Sequence, residues 1–333
     1  MINSPNNRLK IGDVAVAGRV LIAPMTGVSD LPFRRMAQKL GAPYAATEMV
    51  ACADLHQGRP DIVRKAQLGD HGGLKIIQLV GRDPVHIARG ATLAEASGAD
   101  IIDLNFGCPA REVTGVLCGS ALMRDLDQAE RIMTAALNAT ARPVTIKMRL
   151  GWDDQNHNAA ELAQRAQKLG VAALTVHGRT RQQFYKGEAN WRAVAVVKRA
   201  VNIPVIVNGD IVDFASAHTA LTQSGADGVM IGRGIYGRPW LARHLDHALN
   251  DNNPLYDIGL PERLEVLLEH MQSSMTFYGD DLGLRMFKKH LGAYIEASTH
   301  DADPLIRRKH KADICRMDDV HAIESAVRAL MTN

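Results

Sequence analysis

Ile101-Ile-Asp-Leu-Asn-Phe-Gly-Cys-Pro109 is an apolar run that ends in a glycine, a thiol and a proline. Ile101, Ile102 and Leu104 suit a buried strand, while Gly107 and Pro109 stop it and leave Cys108 at its C-terminal end. Strand alternation puts Asp103, Asn105 and Gly107 on one face, opposite Leu104 and Phe106. Taken alone, Cys108 reads equally well as a small buried hydrophobe. Its meaning depends on what surrounds it.

Seven more strand-like runs flank this one: Val20–Met25, Tyr44–Val50, Leu74–Val80, Val144–Met148, Ala173–His177, Val205–Asn208 and Gly228–Ile231. Amphipathic stretches such as Val85–Gly98, Asp127–Ala139 and Ala160–Gly170 separate them, and Gly170 and Gly225 stand where a helix C-cap leads straight into a strand. Eight alternating units predict a (β/α)8 TIM barrel. No G-x-G-x-x-G follows the first strand, which counts against a dinucleotide-binding sheet. After the polar break Asn250-Asp-Asn-Asn-Pro254 the strand signal fades, and Leu264, Leu267, Leu268 and Met271 fall on one helical face. The division expected is a barrel over 1–249 and a smaller helical domain over 250–333.

Composition narrows the class. The chain has 333 residues, 46% of them hydrophobic, and no apolar run approaches the roughly 20 residues that span a bilayer. Met1-Ile-Asn-Ser-Pro-Asn-Asn lacks a basic region leading into an apolar one, so a cytoplasmic location and a monomer are the expectations. The four cysteines, Cys52, Cys108, Cys118 and Cys315, follow neither disulfide nor metal-ligand spacing, and no metal is expected. A net charge of +3 is too mild to establish nucleic-acid binding, so any basic surface must be local.

In a barrel only the strand ends converge on one ligand. Read in order they are Pro24-Met25, Glu48, Gln78, Asn105 with Cys108, Lys147 with Arg149, His177 with Arg179, Asn208-Gly-Asp210 and Gly232-Arg233-Gly234. Each has a plain structural explanation, but eight polar ends on apolar strands seldom coincide by accident. Barrels bind phosphate after strands seven and eight, where Asn208–Asp210 and Gly232–Gly234 stand, so a phosphate-bearing ligand is implied. Lys147 and Gln78 suit a polar ring such as a reduced flavin, while a sugar phosphate would use the same cradle.

The stretches Ala23-Pro-Met-Thr-Gly27, Asp103–Pro109, Arg111-Glu-Val-Thr-Gly-Val-Leu-Cys-Gly-Ser-Ala-Leu-Met123, Lys147-Met-Arg-Leu-Gly-Trp152, His177-Gly-Arg-Thr180, Asn208-Gly-Asp210 and Ile231-Gly-Arg233 together resemble the tRNA-dihydrouridine synthases, most of all their bacterial B-type branch. The resemblance implies FMN-dependent reduction of uridine in tRNA, with NADPH as reductant. It implies that Pro24, Met25 and Thr26 line the flavin, that Gln78 and Lys147 contact its ring, and that His177, Asn208, Gly209, Asp210, Gly232 and Arg233 hold ring, ribityl chain and phosphate. Cys108 becomes the proton donor, with Asn105 and Arg179 near the uracil. Cys118 departs from the pattern, since a small non-thiol residue is expected there. For tRNA the candidates are Arg285, Lys288, Lys289, Arg307, Arg308 and Lys311, in a region that also carries many carboxylates. Rival functions are an FMN barrel dehydrogenase for a free pyrimidine, which leaves the helical tail unemployed, and a non-catalytic tRNA-binding protein, which makes the Cys108 constellation an accident.

Overall fold

A computed structural model of the chain describes residues 9–70, 72–251, 257–298 and 303–332. Eight parallel strands form one sheet: β1 (Val20–Ile22), β2 (Ala46–Ala51), β3 (Ile76–Val80), β4 (Ile101–Phe106), β5 (Val144–Arg149), β6 (Ala173–His177), β7 (Val205–Asn208) and β8 (Gly228–Ile231). From β2 to β8 each strand pairs with the next, β8 returns to pair with β1, and the ring closes between β1 and β2 through the single Ile22–Ala45 bridge. This is the (β/α)8 barrel that the alternation predicts.

The helices that follow the strands are α1 (Leu31–Lys39), α2 (Pro60–Ala66), α3 (Pro84–Ala96), α4 (Leu126–Ala139), α5 (Ala159–Leu169), α6 (Trp191–Ala200), α7 (Phe214–Ser224) and α8 (Leu241–Asp251). Local chemistry sets their ends. Asp30 and Asp213 cap α1 and α7 by accepting from Phe33 N and Ser216 N, which satisfies donors that a helix start leaves open. Gly170 and Gly225 end α5 and α7 at φ +103° and +63°, as their positions before strands suggest.

Side-chain parity divides the sheet. Ile102, Leu104, Phe106, Ile146, Met148, Val176 and Val207 face outward into the core shared with the helices. The inward residues form layers. At the bottom Leu21, Ile76, Ile101, Ile206 and Met230 pack against Leu9, Ile11 and Val16 of an N-terminal hairpin, Lys10–Ile11 with Val14–Ala15. Its two-residue strands are too short to leave a periodic signal in the sequence. Higher up the inward side turns polar, so the same period of two that seals the outside delivers Asp103, Asn105, Lys147, His177 and Asn208 to one interior.

The tail comprises α9 (Leu260–Tyr278), α10 (Asp280–Ser298), α11 (Pro304–Arg316) and α12 (Val320–Thr332). Leu264, Leu267 and Met271 are buried as their spacing requires, in a core with Phe287, Leu291, Ile295, Ile323 and Val327 that also takes in Met36 of α1 and Trp240. Tail and barrel therefore share a hydrophobic seam. The expected break at 250–254 begins inside α8, and its residues 252–254 lie outside the described ones. No helix among the described residues is long and apolar enough to cross a membrane.

Gly237 sits at that seam with φ +68°, and a Cβ there would lie 2.2 Å from the Ala293 carbonyl oxygen on α10. Gly237→Ala should lower Tm by at least about 4 °C, because backbone strain and a backbone clash coincide. Gly170→Ala, where a Cβ meets open space, should cost only the strain of the left-handed conformation. Thermal melts of both variants check the difference, and equal losses would mean that the seam yields.

Candidate active site

The strand ends surround a cavity of about 840 Å3 lined by residues from every part of the mouth, including Pro24, Met25, Thr26, Gln78, Asn105, Cys108, Lys147, His177, Arg179, Asn208, Gly209, Asp210, Gly232 and Arg233. The strand-end residues singled out from the sequence therefore meet at one place, in the size range of a cofactor-sized ligand, except Glu48, which is buried beside it and accepts from Gly27 N. Phe184, Tyr185, Tyr236 and Arg238 line it too. Sequence reading missed these four because loop residues carry no periodicity to mark which way they point.

Cys108 is held by a directed chain of hydrogen bonds. Asp103 Oδ1 accepts from Thr145 Oγ1 at 2.6 Å and Asp103 Oδ2 from Gln78 Nε2 at 2.7 Å. Gln78 Oε1 then accepts from Asn105 Nδ2 at 2.8 Å, leaving Asn105 Oδ1 to accept from Gly107 N at 3.1 Å and Cys108 N at 2.9 Å. A carboxylate accepts and a backbone N–H donates, so both amide orientations are determined. Gly119, at φ +59°, brings the following loop onto Cys108: a Cβ there would stand 2.9 Å from the Cys108 carbonyl oxygen. Burial pushes the Cys108 thiol above its ordinary pKa, against the Ala110 N–H and the charges of Arg149 and Lys147. It is a protonated thiol near neutral pH. Cys118 lies ten residues on, is itself buried, and is likewise pushed up by burial.

Lys147 stands beside Asn105 in register and donates to Asn208 Oδ1 at 3.0 Å, while Asn208 Nδ2 donates to Met230 O. Burial, then the positive charge of Arg149, lowers the Lys147 pKa to about 8. Arg149 is buried as well and ties three loops together, donating from Nε to Gly107 O and from Nη1 to Thr180 O and Phe184 O, each at 2.8 Å. His177 is held neutral, because burial and the surrounding Arg149, Lys147, Arg179 and Arg233 charges drive its pKa well below the usual value. Since Arg179 Nη1 can only donate, His177 Nε2 accepts at 3.2 Å and the ring proton sits on Nδ1.

Arg179 lines the cavity but is 2% exposed, and its guanidinium is spent on Lys186 O, Gly187 O and Asp210 Oδ2. It acts first as the support that holds Asp210, itself at φ +54°. Gly209, at φ +117°, lets that turn pass His177, whose Cδ2 would lie 2.9 Å from an added Cβ. At Gly232 an added Cβ meets nothing within 4 Å, so the backbone there borders open space. Arg233 lies above it, 58% exposed, 3.6 Å from Asp210 Oδ1 and 5.1 Å from the centre of the Tyr185 ring. That combination of accessible backbone, short 3₁₀ turn Arg233–Ile235 and exposed cation suits a phosphate.

The tail candidates divide. Lys288 is paired with Asp318 and Lys311 with Glu296, each at 2.6 Å on the surface. Arg285, Lys289 and Arg308 are exposed and Arg307 is half-buried. Lys289 alone of the six reaches the barrel mouth, with Nζ 3.3 Å from where a Cβ on Gly27 would be.

Comparison with known proteins follows this geometry. The chain is 47% identical over 312 residues to a probable tRNA-dihydrouridine synthase of Rhodobacter capsulatus, covering 93% of this chain and 94% of the relative. It is 39% identical over 321 residues to tRNA-dihydrouridine synthase B of Pseudomonas aeruginosa, covering 96% and 95%. Among solved structures, a histamine dehydrogenase from Rhizobium superposes with TM-score 0.59 at 12% identity, over 81% of this chain and 51% of that one. A variant of NCR from Zymomonas mobilis superposes with TM-score 0.55 at 18% identity, over 78% and 95%. At these identities the two structures speak to the barrel fold alone. Residues 21–327 match the family model described as dihydrouridine synthase (Dus), and the chain belongs to that family of oxidoreductases.

Proposed function

We propose that this chain reduces the C5=C6 bond of uridines in tRNA, with FMN in the barrel mouth and NADPH as the reductant. The observation that carries the reading is the juxtaposition of a protonated, rigidly held Cys108 with the Lys147–Asn208 pair and the open Gly232–Arg233 cradle around one cavity. The residues fit the cofactor: Gly232 leaves room for an anion against its backbone, Arg233 is free to neutralise it, and Lys147 offers its ammonium to the ring. FMN, when bound, supplies the hydride that goes to C6.

The protein's own residues do the rest. Cys108 gives its proton to C5, and its raised pKa keeps that proton in place until negative charge develops on the base. Asn105, bound to both Gly107 N and Cys108 N, keeps the thiol at a constant position and aligns the loop against the uracil. Pro24, Met25 and Thr26 form one wall of the flavin site, Gln78 contributes its remaining amide N–H and lone pair, and neutral His177 with Asn208, Gly209 and Asp210 holds the ribityl side. Arg179 positions Asp210, so its contact with the base is secondary. A uridine inside folded tRNA must leave its stack to enter the cavity. Lys289 at the mouth, with Arg285 and Arg308 exposed on the tail, supports phosphate contact leading to it; Arg307, Lys288 and Lys311 reinforce that face, the last two after exchanging their carboxylate partners.

The defining experiment is dihydrouridine content in tRNA from cells lacking this chain, restored by the wild-type protein. Normal dihydrouridine in those cells, or reduction of free pyrimidines with tRNA left unmodified, rejects the reading. The purified protein should release FMN on denaturation.

Cys108→Ala should leave FMN content and NADPH oxidation near wild type while dihydrouridine formation falls about 10²–10⁴-fold. Cys118→Ala should be close to neutral in the same assay, and equal losses in both variants would move the proton donor elsewhere.

Lys147 carries its charge below about pH 8 and loses it above. Its attraction for an anionic ligand is therefore present at neutral pH and disappears as pH rises through that value. The FMN Kd, followed by flavin fluorescence, should weaken beyond pH 8, and Lys147→Met should be uniformly weak without that break.

On tRNA, the log–log salt dependence of affinity should have a slope of up to about −0.9 per phosphate neutralised on duplex portions. Arg285→Glu combined with Lys289→Glu should flatten it more than Lys288→Glu with Lys311→Glu, because the second pair already faces carboxylates. The reverse order would place the main contacts at Lys288 and Lys311, where α10 meets α11.

A further inference from the structure

Behind the barrel mouth, where α9 and α10 dock on the β1–α1 loop, lies a cluster of donors separate from the cavity. One donor atom each from Asp30, His270 and His290 lies within 4.8 Å of the other two, and all three residues are buried at 5%, 0% and 4% exposure. His270 Nε2 and His290 Nε2 have no hydrogen-bond partner among the described residues. Two orphaned imidazole nitrogens in one buried seam are unusual, since a buried polar atom without a partner costs about 1–3 kcal/mol. We propose that Asp30, His270 and His290 bind a divalent cation of the zinc class, which fastens the helical tail to the barrel.

The donor set selects the metal. Two neutral nitrogens and one carboxylate suit zinc and its first-row neighbours, whereas calcium and magnesium prefer oxygen throughout. The second shell is in place. Tyr294 Oη lies 3.1 Å from His270 Nδ1, which turns the free Nε2 toward the cluster, and Phe33 stacks on His290 with 5.4 Å between ring centres. Asp30 is oriented by Phe33 N and by Tyr278 Oη, each donating at 3.0 Å.

Charge and size are compatible with the assignment. Asp30 and Glu48 face Arg34 and Lys289, so the surroundings are close to balanced and the imidazoles must contribute much of the binding. A triangle with sides of 4.8 Å has its centre about 2.8 Å from each corner, so each donor would move inward by at most about 0.7 Å to reach zinc bond lengths. A water completes the fourth position. Asp30 precedes α1, His270 is on α9 and His290 on α10, so one ion would join two consecutive tail helices to a barrel segment distant in sequence. No spacing rule could find it, because its ligands are more than 200 residues apart at the extremes.

The test uses full-length, flavin-loaded protein from which any histidine tag has been removed. Metal analysis should find roughly one zinc per chain. After removal with dipicolinate, added zinc should restore Tm by at least about 4 °C at a large excess over Kd, a measurement that needs no variant. His270→Gln and His290→Gln should each reduce zinc content at least about 10-fold and abolish the zinc-dependent rise in Tm. Cobalt should add absorption bands to the wild type that neither variant shows. Zinc-free wild type whose Tm ignores added zinc would overturn the proposal and leave an ordered water as the partner of the two nitrogens. Undiminished zinc in both variants would overturn it equally, as binding elsewhere.

Discussion

The hydrogen-bond chain from Asp103 through Gln78 and Asn105 to the backbone of Cys108 is the constraint on which the site depends. It starts on a carboxylate in the barrel interior and ends on two backbone N–H groups just beyond β4. Each amide bonds through both its oxygen and its nitrogen, so neither can turn over without breaking at least two bonds at once. Loss of one member would leave a buried polar group without a partner at about 1–3 kcal/mol, and would free the loop that carries the thiol. The polar residues of the interior thus hold the Cys108 loop in place.

Around that scaffold the mouth collects Lys147, Arg149, Arg179 and Arg233, against the carboxylates of Asp103 and Asp210. Proximity of so many cations has three effects. Added to burial, which is the larger cause, it holds His177 neutral and brings Lys147 into a range where its charge responds to pH, and it leaves the cavity attractive to anions. Arg149 and Arg179 have used their donors on backbone carbonyls and Asp210, so they shape the loops. Arg233, exposed and only loosely paired, is the cation with freedom to meet a ligand.

The tail is part of the same construction. Tyr278 donates to Asp30, the residue that caps α1, and Lys289 extends from α10 to the loop containing Gly27, whose N–H donates to Glu48. The tail helices are thereby joined to the loop that borders the cavity. Surface ion pairs such as Lys288–Asp318 add little to stability.

The sequence by itself determined the barrel, because eight apolar runs separated by capped amphipathic helices have few other ways to bury both faces of their strands. It also determined which residues reach the mouth: strand ends are countable, and alternation assigns Asp103, Asn105 and Lys147 to the interior. Only the tertiary structure decided their partners. Gln78 bonds Asp103 and Asn105, Arg179 is committed to Asp210, and Lys288 and Lys311 meet carboxylates, since side-chain pairing depends on distances between segments that no local pattern encodes. The N-terminal plug and the aromatic residues Phe184 and Tyr185 were illegible for a related reason, being too short or too irregular to be periodic. Asp30, His270 and His290 are the extreme case. Each reads as an ordinary cap or core residue in its own helix, and only docking of the tail on the barrel brings their donors together.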